Sequence, residues 1–102
     1  MDQWTLTQWQ ARIDALFGAK DRRRGTAGNF MWFLEEVGEL SAALRGETVA
    51  EQRLEFADVL AWLMSLANGA GVDLQAALCE KYGSGCPRCR LVPCTCAASD
   101  KP

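Results

Sequence analysis

Glu35-Glu36-Val37-Gly38-Glu39 and Glu55-Phe56-Ala57-Asp58 are the stretches of this sequence best suited to chemistry. Residues three apart share a helical face, so Glu36 pairs with Glu39 and Glu55 pairs with Asp58. If the two helices pack antiparallel, the pairs face each other. Carboxylates meeting at one point repel unless cations lie between them. Oxygen ligands without nitrogen or sulfur favour Mg²⁺, or Mn²⁺ in its place. Each pair sits beside an apolar stripe. A solvated helix face is the plain alternative, as for most charged residues. Gly38 costs its helix about 1 kcal/mol against alanine, which points to a packing or functional reason for it.

A second candidate lies near the C-terminus. Cys86-Pro87-Arg88-Cys89 and Cys94-Thr95-Cys96 make a C-x2-C…C-x-C pattern. Four thiolates suit tetrahedral Zn²⁺, and Pro87 fits the tight turn of a zinc knuckle. The loop between the two halves is very short, so a tail with free or paired thiols is the competing reading. Such a metal would be structural, since four protein ligands leave no open position. Cys79 reads as a small buried apolar residue.

The sequence contains no histidine. The commonest general base and transition-metal ligand is therefore missing, and a Glu-x-x-His di-iron bundle is excluded. The formal net charge of -2 argues against a general nucleic-acid binder. The polar N-terminus does not read as a signal peptide, and no apolar run is long enough for a membrane span. A soluble, cytoplasmic protein is expected. The closely spaced cysteines do not overturn this, because their spacing suits a metal better than a disulfide framework.

Four helices must position these residues. Thr5 or Thr7 can cap the first, whose apolar residues Trp9, Ile13, Leu16 and Phe17 lead to a stop at Gly18. Residues 20–28 read as a loop. Asn29 can cap a second helix reaching about Arg45, with the stripe Phe30, Phe33, Leu34, Val37, Leu40 and Leu44. Thr48 and Glu51 form a capping box for a third helix running to about Asn68. Its expected core residues are Leu54, Leu60, Leu63 and Ala67, with Val59 and Met64 beside them. Asp73 caps a fourth helix, Leu74 to Tyr82, and Gly83 stops it. The short connection at Gly46 makes the second and third helices antiparallel neighbours. The predicted fold is all-α: a four-helix bundle completed by dimerisation, over residues 1–83, with a short irregular Cys-rich tail, 84–102.

The two acidic motifs, with Phe33 to Leu40, Glu55 to Leu60 and Gly71-Val72-Asp73-Leu74 around them, resemble the EExxE…ExxD signature of the MazG-like family. That family comprises all-α nucleoside triphosphate pyrophosphohydrolases. The similarity covers roughly residues 5 to 82. It implies hydrolysis of a nucleoside triphosphate, ribo- or deoxyribo-, to the monophosphate and pyrophosphate, by a homodimer or homotetramer. It implies Glu36, Glu39, Glu55 and Asp58 as Mg²⁺ ligands, with Glu35 orienting water or supporting the ligands. It also places Lys81 near a phosphate-binding lysine and Asn68 near a substrate-facing polar position. Lys81 reads equally as a solvent-facing lysine, and Asn68 as a helix C-cap. Trp32 and Trp62, each four residues from an acidic residue, can stack on a nucleobase or simply pack. Arg22 to Arg24 can meet phosphates or form a solvated surface. The sequence departs from the family after the fourth helix, where basic and polar residues give way to the cysteine tail; Arg88 or Arg90 could take their place.

Two alternatives to an enzyme have different signatures. A non-catalytic nucleotide-sensing or protein-binding module would show a degenerate acidic motif. A zinc-knuckle adaptor would depend on its tail, with the helices serving only to dimerise.

Overall fold

The computed structural model describes residues 1–46 and 48–100. Three helices follow one another: α1 (Leu6–Gly46), α2 (Val49–Ala70) and α3 (Leu74–Tyr82). Among the described residues there is no strand, and no helix is long and apolar enough to cross a membrane. The final two residues of the expected tail, 101 and 102, lie outside the described residues.

The chain is all-helical, and the first two expected helices are the two arms of α1. The expected stop at Gly18 and the expected loop over residues 20–28 do not form. Helix continues through both and breaks only at Gly25, where φ is 83° and ψ is 166°. This backbone region is essentially confined to glycine. Polar side chains bridge the break. Asn29, expected as a cap, is buried one turn beyond it, and its amide donates to the Asp21 carbonyl at 3.0 Å. Arg24 donates to the Asn29 side-chain oxygen at 2.8 Å and to Asp21 at 3.1 Å. Gly18 is buried beneath an ion pair between Asp14 and Arg22, one turn to either side. That bridge explains why the helix passes over a residue that usually ends one.

The space around Gly25 is open, so backbone conformation alone demands glycine there. Gly25→Ala is expected to cost about 1–3 kcal/mol, read as a lower urea midpoint. An unchanged midpoint would show that the break tolerates a side chain.

Local capping agrees with the expected chemistry. The Thr5 hydroxyl accepts from the Gln8 N–H, and the Gln8 side chain accepts from the Thr5 N–H. Thr48 and Glu51 make the same reciprocal pair at the start of α2. Those bonds hold the Glu51 carboxyl below its usual range. Gly71 ends α2 in the left-handed conformation, at φ 72°. Asp73 caps α3 by accepting from the Ala76 N–H, and it also accepts from the Thr7 hydroxyl, tying α3 to the start of α1.

Cross-helix contacts give the direction of packing. Ala43 meets Gln52, Trp32 meets Trp62, and Gln10 meets Asn68. Positions fall along α1 as they rise along α2, so the two helices run antiparallel.

The core is thin. Ala43, Met64, Ala67 and Cys86 are the only buried apolar residues among those described, and no large side chain is fully buried. Several residues expected inside are exposed instead. Leu54 is 67 % exposed, Leu34 52 % and Leu44 53 %, and Phe30, Val37, Leu60 and Leu63 are also exposed. Phe33, Leu40 and Val59 are half-buried. The physical reason is geometric. Two long antiparallel helices cover only one side of each other, and α3 is too short to cover the rest. Cys79, expected to be buried, is exposed on α3. Gly38 has open space where a side chain would go, so no neighbour among the described residues accounts for it.

Candidate metal centre

α1 and α2 bring carboxylates together near their shared end. Glu36, Glu39 and Glu55 each offer an oxygen, and these oxygens lie within 4.8 Å of one another. Glu36 and Glu55 are half-buried, while Glu39 is exposed. Neither Glu36 nor Glu39 has an ion-pair partner among the described residues. Glu36 Oε2 is buried and has no hydrogen-bond partner there. A carboxylate in that state carries a large desolvation cost. Burial pushes the Glu36 carboxyl up to about 7, with further contributions from the Glu39 charge, a hydrogen bond with Glu39, and the charges of Asp58 and Glu55.

These features suit a divalent cation. Hard oxygens converge on one point, an oxygen of Glu36 is buried without a donor among the described residues, and a divalent cation would offset the repulsion between neighbouring carboxylates. Asp58 stands outside the 4.8 Å group but close enough for its charge to act on Glu36. Glu35 is exposed and also stands outside that group.

Asp58 opens onto a cavity of about 270 Å³, lined also by Phe17, Lys20, Asp21, Arg24, Trp62 and Ser65. The Arg24 guanidinium lies 5.1 Å from the centre of the Trp62 ring. Trp62 in turn stacks near-parallel on Trp32, with centroids 6.2 Å apart. The basic run is thus divided. Arg22 pairs with Asp14 at the surface, while Arg24 is drawn in beside the aromatic pair.

Two other expected site residues lie outside the glutamate group. Asn68 donates to the Gln10 carbonyl and accepts from the Gln10 side chain, both at 3.0 Å. Its amide therefore clamps α2 to α1, and the C-cap of α2 is Gly71. Lys81 is exposed on the last turn of α3, with its ammonium 5.4 Å from the Tyr82 ring centre. Lys20, Asp21 and Phe17 line the cavity but did not emerge as site residues from the sequence. Their only signal was the i, i+3 pair Asp21–Arg24, and it fell in a segment expected to be loop.

In the tail, the sulfurs of Cys86, Cys89, Cys94 and Cys96 also lie within 4.8 Å of one another. All five cysteines of the chain are free thiols. Hydrogen bonds from the Thr95 and Leu91 backbone pull the Cys89 thiol down to about 6. A side-chain hydrogen bond with Cys94, helped by desolvation, pushes Cys96 up to about 12.

A model of the MazG nucleotide pyrophosphohydrolase domain matches residues 25–90, from the break in α1 to the middle of the cysteine cluster. No individual curated protein matches the chain.

Proposed function

The chain belongs to the MazG nucleotide pyrophosphohydrolase family, and from that premise we propose that it is a Mg²⁺-dependent enzyme hydrolysing a nucleoside or deoxynucleoside triphosphate to the monophosphate and pyrophosphate. The convergence of Glu36, Glu39 and Glu55 within 4.8 Å, around a buried carboxylate oxygen lacking a donor, carries this reading.

On this proposal Glu36, Glu39 and Glu55 hold Mg²⁺, and Asp58 completes the ligand set from the next turn of α2. Bound there, Mg²⁺ would neutralise phosphate charge and make a water molecule more acidic. The chain's own residues supply the rest. Lys20 and Arg24 line the cavity onto which Asp58 opens, and would supply the positive charge a polyphosphate needs. Trp62, stacked on Trp32 and faced by Arg24, offers a flat surface for a nucleobase. Glu35 lies on the exposed side, and its role in orienting water belongs to this same proposal. Lys81 would reach phosphate only from the end of α3. Asn68 acts on substrate indirectly, by fixing α2 against α1. The complete acidic set favours an enzyme over a non-catalytic nucleotide-sensing module. A metal in the tail would take no part, since four protein ligands leave no position open.

The proposal includes a homodimer or homotetramer. The apolar side of the α1–α2 pair, including Phe30, Leu34, Leu44 and Leu54, is open to solvent in the single chain. Large apolar side chains left exposed on a helix pair are a common mark of an interaction surface. Sedimentation equilibrium is expected to give twice or four times the chain mass, and Leu34→Glu should reduce it to one. A wild-type protein sedimenting as a monomer would remove this part of the proposal.

The catalytic test is pyrophosphate release from a panel of ribo- and deoxyribonucleoside triphosphates, with and without Mg²⁺. Release of pyrophosphate and monophosphate from at least one of them, only with the metal, is the expected result. Release of orthophosphate instead, or no turnover on any member, would count against it.

A further inference from the structure

Among the described residues, the tail following α3 has no apolar core of its own. Cys86 is its only buried residue among those described, and Val92 is 85 % exposed. Yet its backbone is closely organised around the sulfurs. Cys86 donates its N–H to the Leu91 carbonyl at 3.1 Å, and Arg90 donates back to the Cys86 carbonyl at 2.7 Å. Arg90 takes up a left-handed φ of 66°, which turns the chain tightly after Cys89. Backbone N–H groups then point at sulfur. Arg88 N–H faces Cys86 Sγ at 3.4 Å, and Cys96 N–H faces Cys94 Sγ at 3.3 Å. Such bonds are strongest when the sulfur is a thiolate.

The sulfur spacing discriminates between the uses of four cysteines. Cys86 and Cys96 are 4.0 Å apart, and Cys89 and Cys94 are 3.9 Å apart. A disulfide would require about 2.05 Å. Four thiolates around one ion with bonds of about 2.3 Å lie about 3.8 Å apart. The observed pairs come close to that figure, and all four sulfurs fall within 4.8 Å. An iron–sulfur cluster, with several metal atoms between its ligands, would need them farther apart.

We propose that Cys86, Cys89, Cys94 and Cys96 bind one structural Zn²⁺ ion in a tetrahedral thiolate site, and that this ion serves as the core of the tail. The thiols release their protons to solvent on binding, as zinc coordination by cysteine requires. The ion closes the turn at Cys86–Cys89 onto the Cys94–Cys96 segment, where packing alone supplies too little burial. It is soft-ligand chemistry, distinct from the oxygen site on α1 and α2.

The test is elemental analysis of the full-length chain, purified under reducing conditions without chelator. About one zinc per chain is expected. Cys89→Ser with Cys94→Ser should lower zinc content at least tenfold, whereas Glu39→Gln should leave it unchanged. Replacement of the zinc by Co²⁺ should produce the visible absorption of a tetrahedral thiolate site. Since metal content is read without substrate, the result stands apart from the catalytic proposal. Three outcomes would overturn the assignment: stoichiometric iron in place of zinc, intact mass lower by four hydrogens from two disulfides, or wild-type protein free of metal with all its thiols reacting at once.

Discussion

Glu39→Gln and Asp58→Asn are each expected to lower Mg²⁺-dependent pyrophosphate release by roughly 10²–10³-fold while leaving helical circular dichroism unchanged. The magnitude follows from the several kcal/mol that a bound metal contributes to charge stabilisation, at about 1.4 kcal/mol per tenfold. Retention of the fold follows from position. Both residues are exposed, and neither belongs to a cap or to the Gln10–Asn68 clamp. Gln and Asn keep the size and remove the charge, so the loss reports on charge rather than packing. Asp58 is the sharper case. It lies outside the close group of Glu36, Glu39 and Glu55, yet faces the cavity with Arg24 and Trp62. If Asp58→Asn turns over at the wild-type rate under saturating Mg²⁺, three ligands suffice and the fourth assignment is wrong. If Glu39→Gln does so, the site itself is misplaced.

Without divalent metal, the protein is expected to lose stability as pH rises from about 4.5 to about 7. The folded chain raises the Glu36 carboxyl from 4.5 to about 7. Between those values the native state binds a proton that the unfolded chain releases. The stabilisation is therefore complete below the unfolded value and is lost as pH passes the folded one. After allowing for solvent screening, the loss is of order 1–2 kcal/mol, and each kcal/mol is worth roughly 4–8 °C in Tm for a domain of this size. Glu51 and Asp73 work in the opposite direction. Their carboxyls are held down by capping hydrogen bonds, so their contribution is complete before this window opens. Mg²⁺ binds the ionised form. It should therefore raise Tm strongly at pH 8 and little at pH 5. Glu36→Gln should flatten the metal-free profile. Thermal melts at several pH values, with and without Mg²⁺, provide the measurement. A metal-free Tm that climbs between pH 5 and 8, or one that falls equally in Glu36→Gln, would show that Glu36 is not the group responsible.

Much of the architecture was legible in the sequence because its signals are local. Thr48 and Glu51 cap α2 and Asp73 caps α3 at the residues their chemistry indicates, and α3 ends at Gly83 as expected, though with Gly83 in a right-handed conformation. Such bonds span three or four positions and need no distant partner. The course of α1 departs from the sequence expectation for the opposite reason. Gly18 and the charged run after it look like a loop until the Asp14–Arg22 bridge and the buried Asp21–Arg24–Asn29 network are in place.

The sequence by itself determined the all-helical class, the helical phase of the acidic pairs and the grouping of four cysteines, because periodicity and spacing are properties of a single segment. Only the tertiary structure decided which carboxylates converge, that Asn68 clamps α1 to α2, and that Arg24 turns inward onto Trp62 while Arg22 stays at the surface. It also showed that most of the expected core remains uncovered in a single chain. A stripe pattern records which residues avoid water. Whether another helix reaches them depends on the lengths and directions of elements far apart in the chain, which no local pattern encodes.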